Sequence, residues 1–417
     1  MLALYTESIG SALLLAIIKE KYYPEEEADL FYISSTVEEG TDVLRRLETA
    51  GIFRNIYVID YPSKLQPTDG RFGKIPKVRK VLFSRAIYDY FQFFLHEYTK
   101  DKRYSRLIVP HLGDSVQYTA YFFTKNYPEL EICFYGEGAD PYGKRAKQYL
   151  SRWGPRFQSW KNRVMAWFGE HKYLKPLRRF AKPVMYMQAP QRSGVDPWFQ
   201  DVYEIPNLLE FPRILELLRG AAKGFPLYLE TAYSRRRAVF YASAYSEKSM
   251  DALRTCKVMQ RDYTAFEGAA SVFGMKGVLL RPVHELPLNR ELLAYNAEQQ
   301  EGLFVDRVCS PNWLTPLLST CPERLILMGN DPGILSQCKF LYGVEPYIVF
   351  TYRLTGNAAP GYDAAASALR RAYRRPERIT VPATEEDLEK ALIACRNDLY
   401  DMLYLDSEIG QAGGNGQ

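Results

Sequence analysis

Short apolar, β-branched runs alternate with longer stretches of helical period through residues 1–140. That alternation predicts βαβ units built on a parallel sheet. Strands are expected at Leu2 to Tyr5, Asp29 to Ser34, Asn55 to Asp60, Ser105 to Pro110 and Glu131 to Tyr135. Between them the period predicts helices from Ser8 to about Lys21, Val37 to Ala50, Lys77 to Thr99 and Asp114 to Lys125, with Ser8 as a cap. Residues 143–225 are rich in Pro, Trp, Arg and Lys and show no strand alternation, so an inserted, partly helical region is expected there. Alternation then resumes, with strands at Ala238 to Ala242, Gly277 to Arg281, Arg324 to Met328 and Pro346 to Thr351, and a helix from Asp331 to Tyr342. A last amphipathic helix opens on a Thr-Glu-Glu-Asp cap at Thr384 and runs to about Leu405.

The chain is 417 residues long, more than one hydrophobic core usually organises, so two α/β domains are expected. The pattern divides it into 1–142, an insertion or linker 143–225, a second domain 226–380, a C-terminal helix 381–409 and a Gly-rich, disordered tail 410–417. Composition is that of a globular protein, 47% hydrophobic and 25% charged, with 32 Tyr contributing to a high aromatic share of 14%. Tyr suits polar ligand sites, because its ring gives contact area and its hydroxyl a hydrogen bond. The six cysteines show neither a CxxC pair nor metal-ligand spacing, which points away from a disulfide framework or a zinc site. The apolar stretch Ile9 to Ile18 follows Glu7, lacks a basic leader and is too short to span a bilayer, so it reads as a buried helix of a cytoplasmic protein.

The net charge of +5 is no nucleic-acid footprint, and no nucleic-acid partner is expected. Its distribution says more. Between Lys144 and Lys182 twelve Lys or Arg face a single acid, Glu170, interleaved with Trp153, Phe157, Trp160, Trp167, Phe168 and Tyr173. Such a mixture suits an anionic membrane surface, an acidic saccharide or RNA, or a helical insertion that packs its rings inward and solvates its cations.

Ligands of open parallel sheets bind beyond the carboxyl ends of the strands, so the residues at those ends carry the candidate chemistry. After the fifth strand comes Gly136-Glu137-Gly138-Ala139-Asp140, where two glycines permit a tight turn and leave two acids projecting. Glu137 or Asp140 there is a candidate general base toward an acceptor hydroxyl, or else a solvated turn acid. At the matching place in the second half, Arg281 suits phosphate oxygens and His284 a leaving phosphate, against the alternative of an ordinary loop histidine. Gly329, Asn330, Asp331, Gly333 and Ser336 form a strand-loop-helix junction with amides suited to a phosphate, although neither GxGxxG nor a P-loop is present. Thr6, Glu7 and Ser8 close the first strand with polar side chains, and His111 follows the fourth.

Together these stretches resemble the bacterial lipooligosaccharide and capsule sialyltransferases, glycosyltransferase family 52 and its polysialyltransferase-like relatives. The resemblance lies in Leu107 to His111, Tyr127-Pro128 and Glu131 to Gly138, where Glu137 and Gly138 fit the second and third positions of an acidic-acidic-Gly motif and Gly136 stands at the first. Pro282-Val283-His284 resembles the family's Pro-His-Pro with His284 displaced by one, and Ile326 to Ser336 its later strand-loop-helix. The resemblance implies a GT-B architecture of two Rossmann-like domains facing across a cleft, with CMP-sialic acid held mainly by the second. It implies metal-independent inverting transfer to a cell-surface glycan with no cofactor, Glu137 or Asp140 as base and His284 at the CMP phosphate, at the inner face of the cell membrane. Alternatives from the residues are a GT-B transferase for another nucleotide sugar and a non-catalytic polysaccharide-binding protein.

Overall fold

The computed structural model describes residues 1–34, 41–60, 76–110, 114–136, 181–188, 199–221, 238–241, 278–280, 304–305, 326–330, 332–354, 356 and 361–398. The chain divides into two compact units, Met1–Leu217 and Leu218–Gln417.

In the first unit the elements run β1 (Leu2–Thr6), α1 (Ile9–Tyr22), β2 (Ala28–Ser34), α2 (Thr41–Thr49), β3 (Asn55–Asp60), α3 (Pro76–Thr99), β4 (Arg106–Val109), α4 (Asp114–Asn126) and β5 (Glu131–Tyr135). Then follow β6 (Ala181–Met187), β7 (Asp201–Glu204) and α5 (Pro212–Ala221), a helix in which the chain passes from the first unit into the second. The strands form one seven-stranded parallel sheet in the order β3-β2-β1-β4-β5-β6-β7. The chain moves outward from β1 in one direction as far as β3, then returns to β4 on the other side. Because parallel crossovers are right-handed, that reversal sends the first helices to one face and the later ones to the other. The core shows it. Ala3, Tyr5, Phe31, Ile33, Leu107, Val109, Ile132 and Phe134, alternate residues of their strands, pack with Ile87, Phe91 and Leu95 of α3 and Val116, Phe122 and Phe123 of α4. Phe91 and Phe123 are fully buried, each a gain of about 1.5–3 kcal/mol by burial of apolar surface. Helix α1 packs on β1, β2 and α2 and is buried from Ile9 to Lys19 apart from Gly10, as its nearly unbroken apolar sequence requires.

Strands β6 and β7 correct the expectation that residues 143–225 hold no strand: they extend the first sheet, and the first unit runs to Leu217 rather than ending at 142. Pro183 and Lys182 hide the pattern. Only the end of β6, Tyr186 to Met187 and Met185, is buried, while Lys182 is half exposed and pairs with Glu131 at 3.0 Å. The basic aromatic stretch 144–180 lies outside the described residues.

The second unit contains β8 (Ala238–Tyr241), β9 (Val278–Leu280), β10 (Phe304–Val305), β11 (Ile326–Gly329), α6 (Pro332–Leu335), α7 (Gln337–Phe340), β12 (Tyr347–Phe350), α8 (Tyr362–Ala372), β13 (Ile379–Thr380) and α9 over 385–398. Its six parallel strands take the order β10-β9-β8-β11-β12-β13. Counted within each unit, the first six strands of both sheets share one order, third-second-first-fourth-fifth-sixth. The single helix expected from Asp331 to Tyr342 is two four-residue helices that meet at Ser336. Gly333 and Ser336 are weak helix formers, and Ser336 closes the first turn through its amide to the Pro332 carbonyl at 3.0 Å. The cap expected at Thr384 is present as a reciprocal pair: the Asp387 amide donates to Thr384 Oγ1 at 3.1 Å and the Thr384 amide to Asp387 Oδ2 at 3.2 Å.

Candidate functional site

A sheet of this order has a switch point between its first and fourth strands, where neighbouring loops diverge and leave a crevice at the carboxyl ends. Each unit has one. In the first unit it lies between β1 and β4, and in the second between β8 and β11.

At the first switch point the residues after β1 divide by task. Thr6 is fully buried; its hydroxyl donates to the Ser8 carbonyl at 3.0 Å and accepts from the Ser8 amide at 3.2 Å, which folds the turn on itself. Ser8 caps α1, accepting from the Ser11 amide at 3.1 Å with its own backbone extended. Glu7 is exposed, and the hydroxyl of fully buried Tyr5 donates to its Oε1 at 2.5 Å. Two strands away, the hydroxyl of fully buried Tyr135 donates to the Tyr5 carbonyl at 3.1 Å, tying the end of β5 to the end of β1. Next along β5 stands Gly136, whose amide donates to the Tyr186 carbonyl at 2.8 Å. Glu137, Asp140 and His111 lie outside the described residues.

The bond between Tyr5 and Glu7 was not legible in the sequence, yet a signal existed. Both carboxylate-bearing strand ends read Tyr-x-Glu, as Tyr5-Thr6-Glu7 and Tyr135-Gly136-Glu137.

At the second switch point Gly329 ends β11, in register with Tyr241 of β8 and Phe350 of β12. Its carbonyl accepts from the Thr351 amide at 2.9 Å, and Asn330 beyond it is fully buried. Gly333 falls within α6, and Ser336 is fully buried at the α6–α7 junction. A four-residue helix carries little macrodipole, so an anion here would be met by local amides rather than by a helix field. Arg281, His284 and Asp331 lie outside the described residues.

Beyond β12 the structure assembles a group the sequence did not suggest. Tyr352 donates to Asp363 Oδ1 at 2.8 Å, and Arg353 donates to the same oxygen from Nε at 3.1 Å and Nη2 at 2.9 Å. The Tyr352 hydrogen bond, opposed by slight desolvation and joined by the Arg353 guanidinium, holds the Asp363 carboxyl below its usual range. Burial, and then Asp363, push the Tyr352 hydroxyl up. The signal for this group was its place directly after an expected strand.

The amino ends of the first sheet's strands, opposite the switch-point crevice, hold the charge that ties them together. Asp29, fully buried at the start of β2, accepts from Lys102 Nζ at 2.7 Å, Tyr104 Oη at 2.5 Å and Asn55 Nδ2 at 2.8 Å. Burial lowers the Lys102 ammonium, but its hydrogen bonds with Asp29 and Tyr57 prevail and leave it raised. Cys133, Cys338 and Cys395 are buried thiols, and burial pushes Cys133 up to about 11. Among the described residues no group of three His, Cys, Asp or Glu is placed to hold a metal ion, and no helix is long and apolar enough to cross a membrane.

No family model matches the chain, and no curated protein matches it by sequence. Solved structures do match in fold. A UDP-N-acetylglucosamine 2-epimerase superposes with a TM-score of 0.52 at 9% identity, over 96% of this chain and 89% of that one. CalG4, the calicheamicin glycosyltransferase, gives 0.50 at 9% identity over 100% and 99%, and an S. aureus MnaA co-structure with UDP gives 0.50 at 9% over 94% and 86%. The fold is therefore mixed α/β of GT-B type, with two Rossmann-like sheets.

Proposed function

We propose that this chain is a glycosyltransferase that uses a nucleotide-sugar donor, with CMP-sialic acid as the donor and a cell-surface glycan as the acceptor. The observation that carries the reading is the second unit's sheet order, whose switch point between β8 and β11 is the crevice where such sheets hold nucleotides. Support also comes from the comparisons, since solved proteins of this fold include a glycosyltransferase and a co-structure with UDP.

In this reading Glu137, or failing it Asp140, takes the proton from the acceptor hydroxyl as that oxygen attacks the donor's anomeric carbon. The bond to the phosphate oxygen breaks with its electron pair on CMP, and Arg281 and His284 meet the phosphate charge. Backbone amides near Gly329 and Asn330 would add donors to it. The acidic tendency of the leaving phosphate means that no metal is required, and inversion follows from a single in-line displacement. Residues 144–182 are proposed to hold the enzyme on an anionic membrane surface, to be tested by salt-reversible sedimentation with anionic but not neutral vesicles.

A second reading has a specific observation behind it: the matching structures include a UDP-sugar epimerase and a protein with UDP, which favours a UDP-sugar substrate. One experiment separates the two. Thermal shift with CMP, UDP and GDP should show stabilisation by CMP alone, and incubation with CMP-sialic acid should release CMP. Stabilisation by UDP alone establishes the second reading, and no stabilisation by any nucleotide defeats both. Glu137→Gln should then lower transfer about 10²–10⁴-fold.

A further inference from the structure

We draw no further inference here: the strongest candidate, the side-chain cluster of Tyr352, Arg353 and Asp363 at the carboxyl end of β12, makes its described hydrogen bonds within itself, and nothing else among the described residues at that strand end points to a ligand.

Discussion

Removing the Asp29 carboxylate should be the most damaging single change among the polar residues of the first unit. Asp29→Ala takes away the shared acceptor of Lys102, Tyr104 and Asn55 in a position with no exposure. The three donors do not suffer equally. Lys102, whose side chain is 20% exposed, can turn to water, whereas the hydroxyl of Tyr104, 4% exposed, cannot. Breaking a buried charge pair from one side typically costs about 3–5 kcal/mol, against about 1.5–3 for one hydrogen bond to a charged group. Asp29→Ala is expected in the first range, and Tyr104→Phe, which leaves Asp29 with Lys102 and Asn55, in the second. Equilibrium urea unfolding by far-ultraviolet circular dichroism would show each as a lower midpoint at constant slope for the first unit's transition. A loss below about 1 kcal/mol for Asp29→Ala would refute the reasoning, because it would mean that water or another group replaces the carboxylate without penalty.

Three further outcomes are expected. In the second unit, burial raises the Glu345 carboxyl, but the Lys339 ammonium and the Arg374 amide prevail and leave it below its ordinary 4.5, so their stabilisation is complete above about pH 4.5 and is lost as pH falls through the folded value. Glu345→Gln should therefore lower melting at pH 7 and flatten its fall as pH drops below about 4.5; an unchanged acid limb would refute this. Tyr135→Phe should cost about 1 kcal/mol in urea midpoint, the worth of its bond to the buried Tyr5 carbonyl, and no measurable loss would show that bond to be dispensable. Gly361 has φ +101 with open space around a would-be Cβ, so Gly361→Ala should lower stability by about 1–2 kcal/mol through backbone strain alone, and a neutral result would place the strain elsewhere.

Sequence pattern was most informative where a strand is buried on both faces. The β1, β2 and β5 runs are apolar, bounded by turn residues, and fall within a residue or so of the expected limits. It failed where neighbours satisfy what the pattern counts as polar. Strand β6 opens on Ala181-Lys182-Pro183 because Lys182 finds Glu131, and β10 and β13, two residues each, are too short to show a period. Helix α8 was missed because its buried face is largely alanine, Ala366, Ala368 and Ala372, which gives little contrast with its polar side. In the site, Glu7 was legible as a polar residue at a strand end. The hydroxyl bond from the tyrosine beneath it was not, since a buried tyrosine reads as core until the partner of its hydroxyl is seen.

Sheets that begin in their own middle have a consequence for how the protein is made. In both units the first strand is central and later strands are added outward on either side, and each described sheet is drawn from one contiguous stretch of chain. Residues 1–217 therefore hold everything their described sheet requires before any strand of the second has been synthesised. At typical translation rates of about 5–20 residues per second, the roughly 200 residues that follow give about 10–40 s for that first core to close. Damage confined to the second unit should leave a folded, soluble first half on the ribosome, whereas damage to β1 removes the template on which every later strand of its sheet is laid.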